Sequence, residues 1–216
     1  MIAVILPTFN RRETLWQTCV RIKSNLITKE DIHFFIGDAG SDNVTELFDG
    51  QPNVHVLKPP RRFLGDNLNH LIRAAALETD ILLQMDDDHW LREPLDVDDH
   101  IRILRGDSPI KWIRLMGVAY HSLNAKLVGN YWRVDWNSPE VYIASNRPHL
   151  KHVKFHVYYG LYPEGLSLGE TEEGFCHQCI DAGKLDATAP VVGIPVNVRT
   201  ESIWDHVGQS WQDKGF

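Results

Sequence analysis

The feature of the sequence that most constrains the fold is an apolar run that ends abruptly in three carboxylates. Residues 81–85 read Ile-Leu-Leu-Gln-Met, and Asp86, Asp87 and Asp88 follow them directly. A short, bounded apolar run is typical of a strand that is buried on both faces of a parallel sheet. If strand geometry continues through the carboxylates, Asp86 and Asp88 share one face and Asp87 points to the other.

Two carboxylates on one face repel each other unless a cation lies between them. Hard oxygen ligands favour Mg²⁺ or Mn²⁺, and these ions favour phosphate oxygens as their remaining ligands. The motif therefore predicts a metal–diphosphate site. The alternative interpretation is an acidic turn that only leads into the next segment, where Pro94 begins a helix.

Strands and helices alternate in the part of the chain that precedes the acidic motif. Apolar strands are predicted at 2–6, 32–37 and 53–57, and helices at 15–26, 44–48 and 68–75. Strand–helix alternation over about 85 residues predicts right-handed βαβ units and a parallel sheet. Ligands of such sheets bind beyond the carboxyl ends of the strands, which are the loops at 8–10, 38–43 and 86–88.

The second half of the chain is less regular. Strands are predicted at 110–120, 128–136, 153–159 and 191–199. In the third of these, Val153, Phe155, Val157 and Tyr159 alternate with other residues, as in a half-exposed antiparallel strand. Ser167 and Glu170 form a predicted capping box, which begins a helix that ends at Gly183.

The composition argues against several classes of protein. The net charge of −7 and the lack of a basic cluster argue against nucleic acid as a partner. Three cysteines (Cys19, Cys176 and Cys179) imply no disulfide framework, and the last two supply only half a zinc site, so we expect packed or surface thiols. Because the start of the sequence has neither a basic leader nor an apolar run long enough for a bilayer, we expect no transmembrane segment and a cytoplasmic location.

The motifs, in their order, resemble those of the GT-A glycosyltransferases, specifically the family-2-like group that uses nucleotide-diphosphate sugars. The matching pieces are Pro7–Arg11, Asp38–Asp42, the helix at 65–75 with Asn69, Asp86–Asp88, a late acidic pair and a histidine near the end. The resemblance implies a Rossmann-like α/β fold with a mostly parallel central sheet, flanking helices and a smaller antiparallel C-terminal part. It implies a single domain over 1–216, with a nucleotide-binding half at 1–100 and an acceptor-binding half at 101–216.

The same resemblance implies a function and a set of site residues. The function is metal-dependent transfer of a hexosyl group from a nucleotide-diphosphate sugar to an acceptor hydroxyl on a glycan, a lipid-linked molecule or a protein, with Mn²⁺ or Mg²⁺ as cofactor. We expect inversion of the anomeric configuration because the sequence offers one base and no dedicated nucleophile. The residues implied for the nucleotide sugar are Thr8, Asn10, Arg11, Asp38, Gly65, Asn69, Asp86 and Asp87. Those implied for the metal are Asp86, Asp88 and His206.

An acceptor hydroxyl needs a base within hydrogen-bond reach, and a carboxylate is the usual solution. Glu170, Glu172 and Glu173 lie at the start of the predicted helix. The spacing to Ala182–Gly183 in the family indicates the Glu172–Glu173 pair, with Glu173 as the first candidate. Acids in a first helical turn also stabilise the helix dipole without any catalytic role.

Two rival functions remain open. A sugar-phosphate nucleotidyltransferase also uses a Rossmann-like sheet and an acidic metal site, but it needs a glycine-rich loop after the first strand. Residues 7–12 contain no glycine, which places this rival below the transferase. A non-catalytic module that binds a nucleotide sugar or a glycan would lack the base.

Overall fold

A computed structural model describes residues 1–41, 44–60, 63–116, 125–134, 136, 143–186, 188–196 and 203–207. The strands are β1 Ile2–Thr8, β2 Leu26–Ile27, β3 Ile32–Asp38, β4 Val54–Leu57, β5 Ile81–Gln84, β6 His89–Leu91, β7 Leu95–Asp96, β8 Ile110–Arg114, β9 Ala125–Val128, β10 Tyr131–Val134, β11 His149–His152, β12 Val191–Pro195 and β13 Trp204–His206. The helices are α1 Arg12–Asn25, α2 Val44–Leu47, α3 Leu64–Ala75, α4 Asp98–Arg105, α5 Lys154–Tyr159 and α6 Leu168–Leu185.

One large sheet runs through both halves of the described chain, in the order β4-β3-β1-β5-β11-β8-β12-β10-β9. The strands β4, β3, β1 and β5 are mutually parallel. β11 is antiparallel to both β5 and β8, and β10 is antiparallel to β12 and β9. This architecture confirms the predicted α/β fold, with a mostly parallel central sheet and antiparallel strands in the C-terminal part.

The local patterns explain why the first half folds as it does. Every residue of β1 and β5 is buried, as expected for strands covered on both faces. In α1 the buried side chains are Leu15, Thr18, Cys19 and Ile22, and in α3 they include Leu68, Leu71, Ile72 and Ala75. These are the faces that the 3.6-residue spacing predicts. No helix among the described residues is long and apolar enough to cross a bilayer.

The cysteines pack into the core, as predicted. All three thiols are buried. Burial raises the pKa of the Cys19 thiol to about 12, and it raises the pKa of Cys179 well above its usual value. Because the thiolate is the reactive and metal-binding form, these groups suit packing and not chemistry.

Three local expectations were wrong. Residues 154–159 form a helix, α5, because the buried set Phe155, His156 and Tyr159 follows helical spacing while Val157 is 84% exposed. The helix near Pro94 begins only at Asp98, and α6 continues past Gly183 to Leu185. The predicted strand ends at 117–120, 135 and 197–199 lie outside the described residues.

Candidate functional site

The loops that follow β1, β3 and β5 meet at one edge of the sheet. β1 lies between β3 and β5, so this edge is the switch point of the parallel part. Thr8 and Asp38, the last residues of β1 and β3, are direct register partners. The two loops are joined by hydrogen bonds, since the Asn10 N–H donates to Ser41 Oγ at 2.7 Å and the Ser41 N–H donates to Asp38 Oδ1 at 2.9 Å.

Arg11 connects the first loop to the acidic motif. Its Nη1 lies 3.0 Å from Asp87 Oδ1 and 2.5 Å from Asp88 Oδ2. The Thr8 hydroxyl donates to Asp87 Oδ2 at 2.5 Å, and the Thr18 hydroxyl donates to the Asp87 carbonyl oxygen at 2.6 Å. Burial alone would lower the pKa of Arg11, but the two carboxylates outweigh it and the pKa is raised. Asp87 is therefore the residue that anchors the motif to β1 and α1.

The expected alternation of the three carboxylates was wrong. β5 ends at Gln84 and the chain then turns, so that Asp87 and Asp88 both contact Arg11. Asp86 instead accepts a hydrogen bond from Asn146 Nδ2. Burial, followed by the charges of Glu172, Asp88 and Asp87, raises the pKa of Asp86 well above its usual value. Burial also raises the pKa of Asp87, to about 6.

A short C-terminal strand brings His206 to the acidic motif. β13 pairs antiparallel with β6, which places His206 opposite His89, and their rings stack with centroids 4.9 Å apart. His206 Nε2 lies 3.5 Å from Asp88 Oδ2, and His89 Nδ1 lies 3.5 Å from Asp88 Oδ1. The Val207 N–H donates to the Asp88 carbonyl oxygen at 3.0 Å, which holds the strand end in place.

The cluster of Asp88, His89 and His206 fits a divalent cation. One potential ligand atom from each residue lies within 4.8 Å of the others. Asp88 Oδ1 and His89 Nδ1 are buried without a hydrogen-bond partner among the described residues. Burial lowers the pKa of His89 to about 4, so its imidazole is neutral near pH 7 and offers a lone pair. A carboxylate with two imidazoles is a donor set that first-row divalent ions accept.

The predicted metal ligands are thus only partly brought together. Asp88 and His206 face each other as expected, whereas Asp86 lies on the side of Asn146. His89 was missed, although it directly follows the acidic motif in the sequence. Its approach to Asp88 depends on the turn after β5, which residue pattern alone does not reveal.

The three candidate bases have different surroundings. Glu170 accepts hydrogen bonds from the Ser167 N–H at 3.0 Å and the Ser167 hydroxyl at 2.6 Å, which is the predicted capping box and which lowers its pKa. Glu173 is exposed and lies 3.6 Å from His177 Nε2. Glu172 Oε1 accepts the Asn146 N–H at 2.6 Å, and burial raises the Glu172 pKa. Glu172 is therefore the carboxylate of this helix that lies beside Asp86, in place of the first candidate Glu173.

Asn146 is a second residue that the sequence did not indicate. Its backbone N–H contacts Glu172 and its side-chain amide contacts Asp86, so one residue links two carboxylates of the site. Gln84 Nε2 donates to Asn146 Oδ1 at 2.6 Å and fixes the orientation of this amide. Lys151 Nζ in turn donates to Gln84 Oε1 at 2.5 Å.

Gly65 and Asn69 hold α3 against the loop that precedes α6. A Cβ on Gly65 would lie 1.9 Å from the Pro163 carbonyl oxygen and 3.2 Å from Thr171 Cγ2. Asn69 Nδ2 donates to the Tyr162 carbonyl oxygen at 2.9 Å, and Asn69 Oδ1 accepts the Tyr162 N–H at 2.9 Å. In this structure both residues, which were expected at the nucleotide sugar, make contacts that position α6.

Comparisons with known proteins give a family match over part of the chain and a shared fold. The family model described as glycosyl transferase family 2 matches residues 3–105. No curated protein sequence matches the chain.

Several solved structures share the fold at low sequence identity. The structure of S. aureus TarS 1–349 has a TM-score of 0.65 and 16% identity over 94% of this chain and 59% of that chain. A mannosyltransferase from Pyrobaculum calidifontis, PcManGT, in complex with GDP-Man and Mn²⁺, has a TM-score of 0.60 and 12% identity over 94% of this chain and 58% of that chain. Glucosyl-3-phosphoglycerate synthase from Mycobacterium tuberculosis, in complex with Mn²⁺, UDP-Glc and phosphoglyceric acid, has a TM-score of 0.63 and 16% identity over 100% of this chain and 74% of that chain.

The chain thus spans 59% of the length of the TarS 1–349 structure. The sheet order, the acidic motif at its switch point and the family match at 3–105 agree with one another. Residues 3–105 of the chain match the glycosyl transferase family 2 model, and the fold of the chain is GT-A-like.

Proposed function

We propose that this chain is a metal-dependent glycosyltransferase that takes a hexosyl group from a nucleotide-diphosphate sugar. The proposal rests on one observation: two groups of residues with different chemistry lie at the same edge of the sheet. Asp88 with its two histidines suits a cation, and Glu172 beside Asp86 suits a base. TarS has been solved with UDP-GlcNAc and PcManGT with GDP-Man and Mn²⁺, which supports a nucleotide sugar as the donor class.

The donor's nucleotide belongs at the loops after β1 and β3. Asp38 is buried and accepts the Ser41 N–H through Oδ1, so the nucleoside would meet a loop that is already ordered. Asn10, with a φ of 54°, holds the first loop against Ser41. The Arg11 guanidinium lies against Asp87 and Asp88, at the point where the diphosphate would arrive. A cation beside carboxylates and an arginine is a suitable receptor for phosphate oxygens.

Mn²⁺ or Mg²⁺ at Asp88, when bound, supplies Lewis-acid neutralisation of the charge on the departing diphosphate. Asp88, His89 and His206 would hold the ion. Asp87 holds Arg11 and Thr8 in place through hydrogen bonds. Asp86, which is hydrogen-bonded to Asn146, would contact the sugar. His206 arrives on β13 and closes the site from the C-terminal side.

Glu172 is the residue that we assign as general base. The proton of the acceptor hydroxyl moves to its carboxylate while the acceptor oxygen bonds to the anomeric carbon and the bond to the diphosphate breaks. A carboxylate of raised pKa holds such a proton better than an ordinary surface glutamate. A single base without a nucleophile in the described part of the site is the arrangement of an inverting transferase.

The proposal extends to the acceptor class and the location. The acceptor is a hydroxyl on a glycan, a lipid-linked molecule or a protein, bound by the half of the chain at 101–216. We also retain the cytoplasmic location as a proposal from the sequence.

The proposal is tested by a panel of nucleotide sugars, measured as thermal stabilisation with and without Mn²⁺. A ligand that binds only the folded chain raises the melting temperature. We expect at least one nucleotide sugar to stabilise the chain only when Mn²⁺ is present and to release its nucleoside diphosphate when an acceptor is added. Stronger stabilisation by a nucleoside triphosphate with a sugar phosphate would indicate a nucleotidyltransferase instead. Binding without release across an acceptor panel would indicate a non-catalytic module.

A further inference from the structure

A second cluster of potential metal ligands lies away from the acidic motif. His33 on β3, His55 on β4 and Glu78 after α3 each offer one ligand atom, and these atoms lie within 4.8 Å of one another. His33 precedes Asp38 by five positions on an extended strand, which corresponds to about 16 Å at roughly 3.3 Å per residue. The cluster is therefore at the opposite end of the parallel strands from the candidate active site.

The topology explains why these three residues meet. His33 and Phe35 share a face of β3 by strand alternation, and the Phe35 ring stacks on His55 of the adjacent β4 at 4.7 Å. Gly37 lies on the same face of β3, and a Cβ there would lie 1.7 Å from Oδ1 of Asn67, a residue of α3. Helix α3 therefore covers this face. The helix runs back along the strands, so the turn after it, which carries Glu78, reaches the start of β3.

The two imidazoles have nitrogens that the protein leaves without a partner. His33 Nδ1 and His55 Nε2 are each buried and make no hydrogen bond to the described residues. A buried polar atom without a partner destabilises the folded chain, so two neighbouring ones need an explanation such as an ion. The rings of His33 and His55 are stacked with centroids 5.8 Å apart, which keeps both nitrogens in one region. Glu78 is exposed and adds a carboxylate from the solvent side.

We propose that His33, His55 and Glu78 form a second divalent-metal site, of a class suited to Zn²⁺. Two imidazoles with one carboxylate and a water are a common tetrahedral zinc set. Ligand atoms of such a site lie about 3.4 Å apart for bonds of roughly 2.1 Å, so the exposed Glu78 side chain moves inward on binding. The bound ion would join the turn after α3 to β4, which is an edge strand of the described sheet. The site needs no nucleotide sugar, and it stands independently of the proposed transferase activity.

The test is a Zn²⁺ titration of the chelator-treated chain by calorimetry, with the melting temperature as a second measurement. All variants carry Asp88→Asn, which weakens metal binding at the acidic motif. We expect this parent to bind one equivalent of Zn²⁺ and to gain several degrees of melting temperature. Glu78→Gln, an exposed substitution that spares the fold, and His55→Gln should each weaken the affinity by at least about tenfold.

His70→Gln is the matched control because His70 lies on α3 outside the cluster. It should keep the Zn²⁺ affinity of the parent. The inference is overturned if the parent binds no Zn²⁺, or if Glu78→Gln and His55→Gln bind it as tightly as the control. In the first case the three side chains lie close together without forming a cation site.

Discussion

Glu172 differs from its neighbours on α6 in what its carboxylate touches. It accepts the Asn146 N–H beside Asp86, whereas Glu170 caps the helix and Glu173 faces His177. Glu172→Gln keeps the size of the side chain but removes its basicity, so turnover should fall by about 10²–10⁴ while donor affinity stays nearly unchanged. Steady-state transfer rates, together with donor titrations, measure the two effects separately.

Glu173→Gln and Glu170→Gln are the matched controls on the same helix. Glu173→Gln should retain nearly normal transfer, and Glu170→Gln should cost only some helix stability. If Glu173→Gln is the inactive variant, the base is the residue that the family spacing indicated first and the assignment to Glu172 is wrong.

The sequence located the acidic motif but not the direction of each carboxylate. An apolar run that ends in three aspartates predicts a strand end and a charged edge, because burial of the run is a local property. The pairing of Asp87 with Arg11 and of Asp86 with Asn146 depends on the turn after Gln84. His89 and Asn146 join the site through that turn and through segments distant in the chain, which no local pattern records.

At the scale of elements, the contact between α3 and α6 depends on Gly65. A Cβ there would meet the Pro163 carbonyl oxygen, a backbone atom that cannot rotate away. Gly65→Ala should therefore destabilise the chain by about 1–3 kcal/mol, as overpacking does. Urea denaturation measures the change in the free energy of unfolding.

Gly169→Ala is the control for that substitution. A Cβ at Gly169, in the first turn of α6, would have open space around it. Alanine loses less conformational entropy than glycine in a helix, so this variant should be neutral or more stable by about 0.5–1 kcal/mol. Equal destabilisation by both substitutions would contradict the account of close packing at Gly65.

The strand β13 gives a second prediction at this scale. It carries His206 to Asp88, so His206→Gln should raise the Mn²⁺ concentration for half-maximal activity by about tenfold or more, with little change in melting temperature. Asp205→Asn, one residue earlier on the same strand and paired with Arg92, is the control. If both variants have the wild-type Mn²⁺ requirement, His206 is not a ligand.

Some elements are predictable from the sequence and others are not. The βαβ order was predictable because β1, α1, β3, α3 and β5 each show an unambiguous period. The alternation of Val153, Phe155, Val157 and Tyr159 predicts a strand where the structure has helix α5. The helix buries Phe155 and Tyr159 and leaves Val157 in solvent, and only packing against the rest of the chain determines that choice.

At the scale of the whole molecule, an ion-pair network joins distant segments at the opposite edge of the sheet from the active site. Arg105 of α4 contacts Glu30 at 2.6 Å and Asp80, just before β5, at 2.9 Å. Hydrogen bonds from Arg105 and the N-terminus lower the pKa of Glu30 to about 2. The network stabilises the fold independently of the site chemistry.

Arg105→Gln should lower the free energy of unfolding by about 1 kcal/mol at neutral pH. A depressed carboxylate pKa gives stability that is present above the unfolded value of about 4.5 and is lost as the pH falls towards 2. The difference between wild type and Arg105→Gln should therefore shrink over that range in urea denaturation. Arg102→Gln, in an exposed pair on the same helix, should show almost no difference at any pH.

A single calorimetric titration tests whether Asp88 belongs to a metal-dependent nucleotide-sugar site. The nucleotide sugar that stabilises the chain most is titrated into wild type and Asp88→Asn, with and without Mn²⁺, and Asp107→Asn serves as the control for loss of a surface charge. We expect Mn²⁺ to strengthen binding in wild type and in Asp107→Asn and to have no effect in a folded Asp88→Asn chain. Unchanged donor affinity with unchanged Mn²⁺ dependence in Asp88→Asn would contradict this expectation.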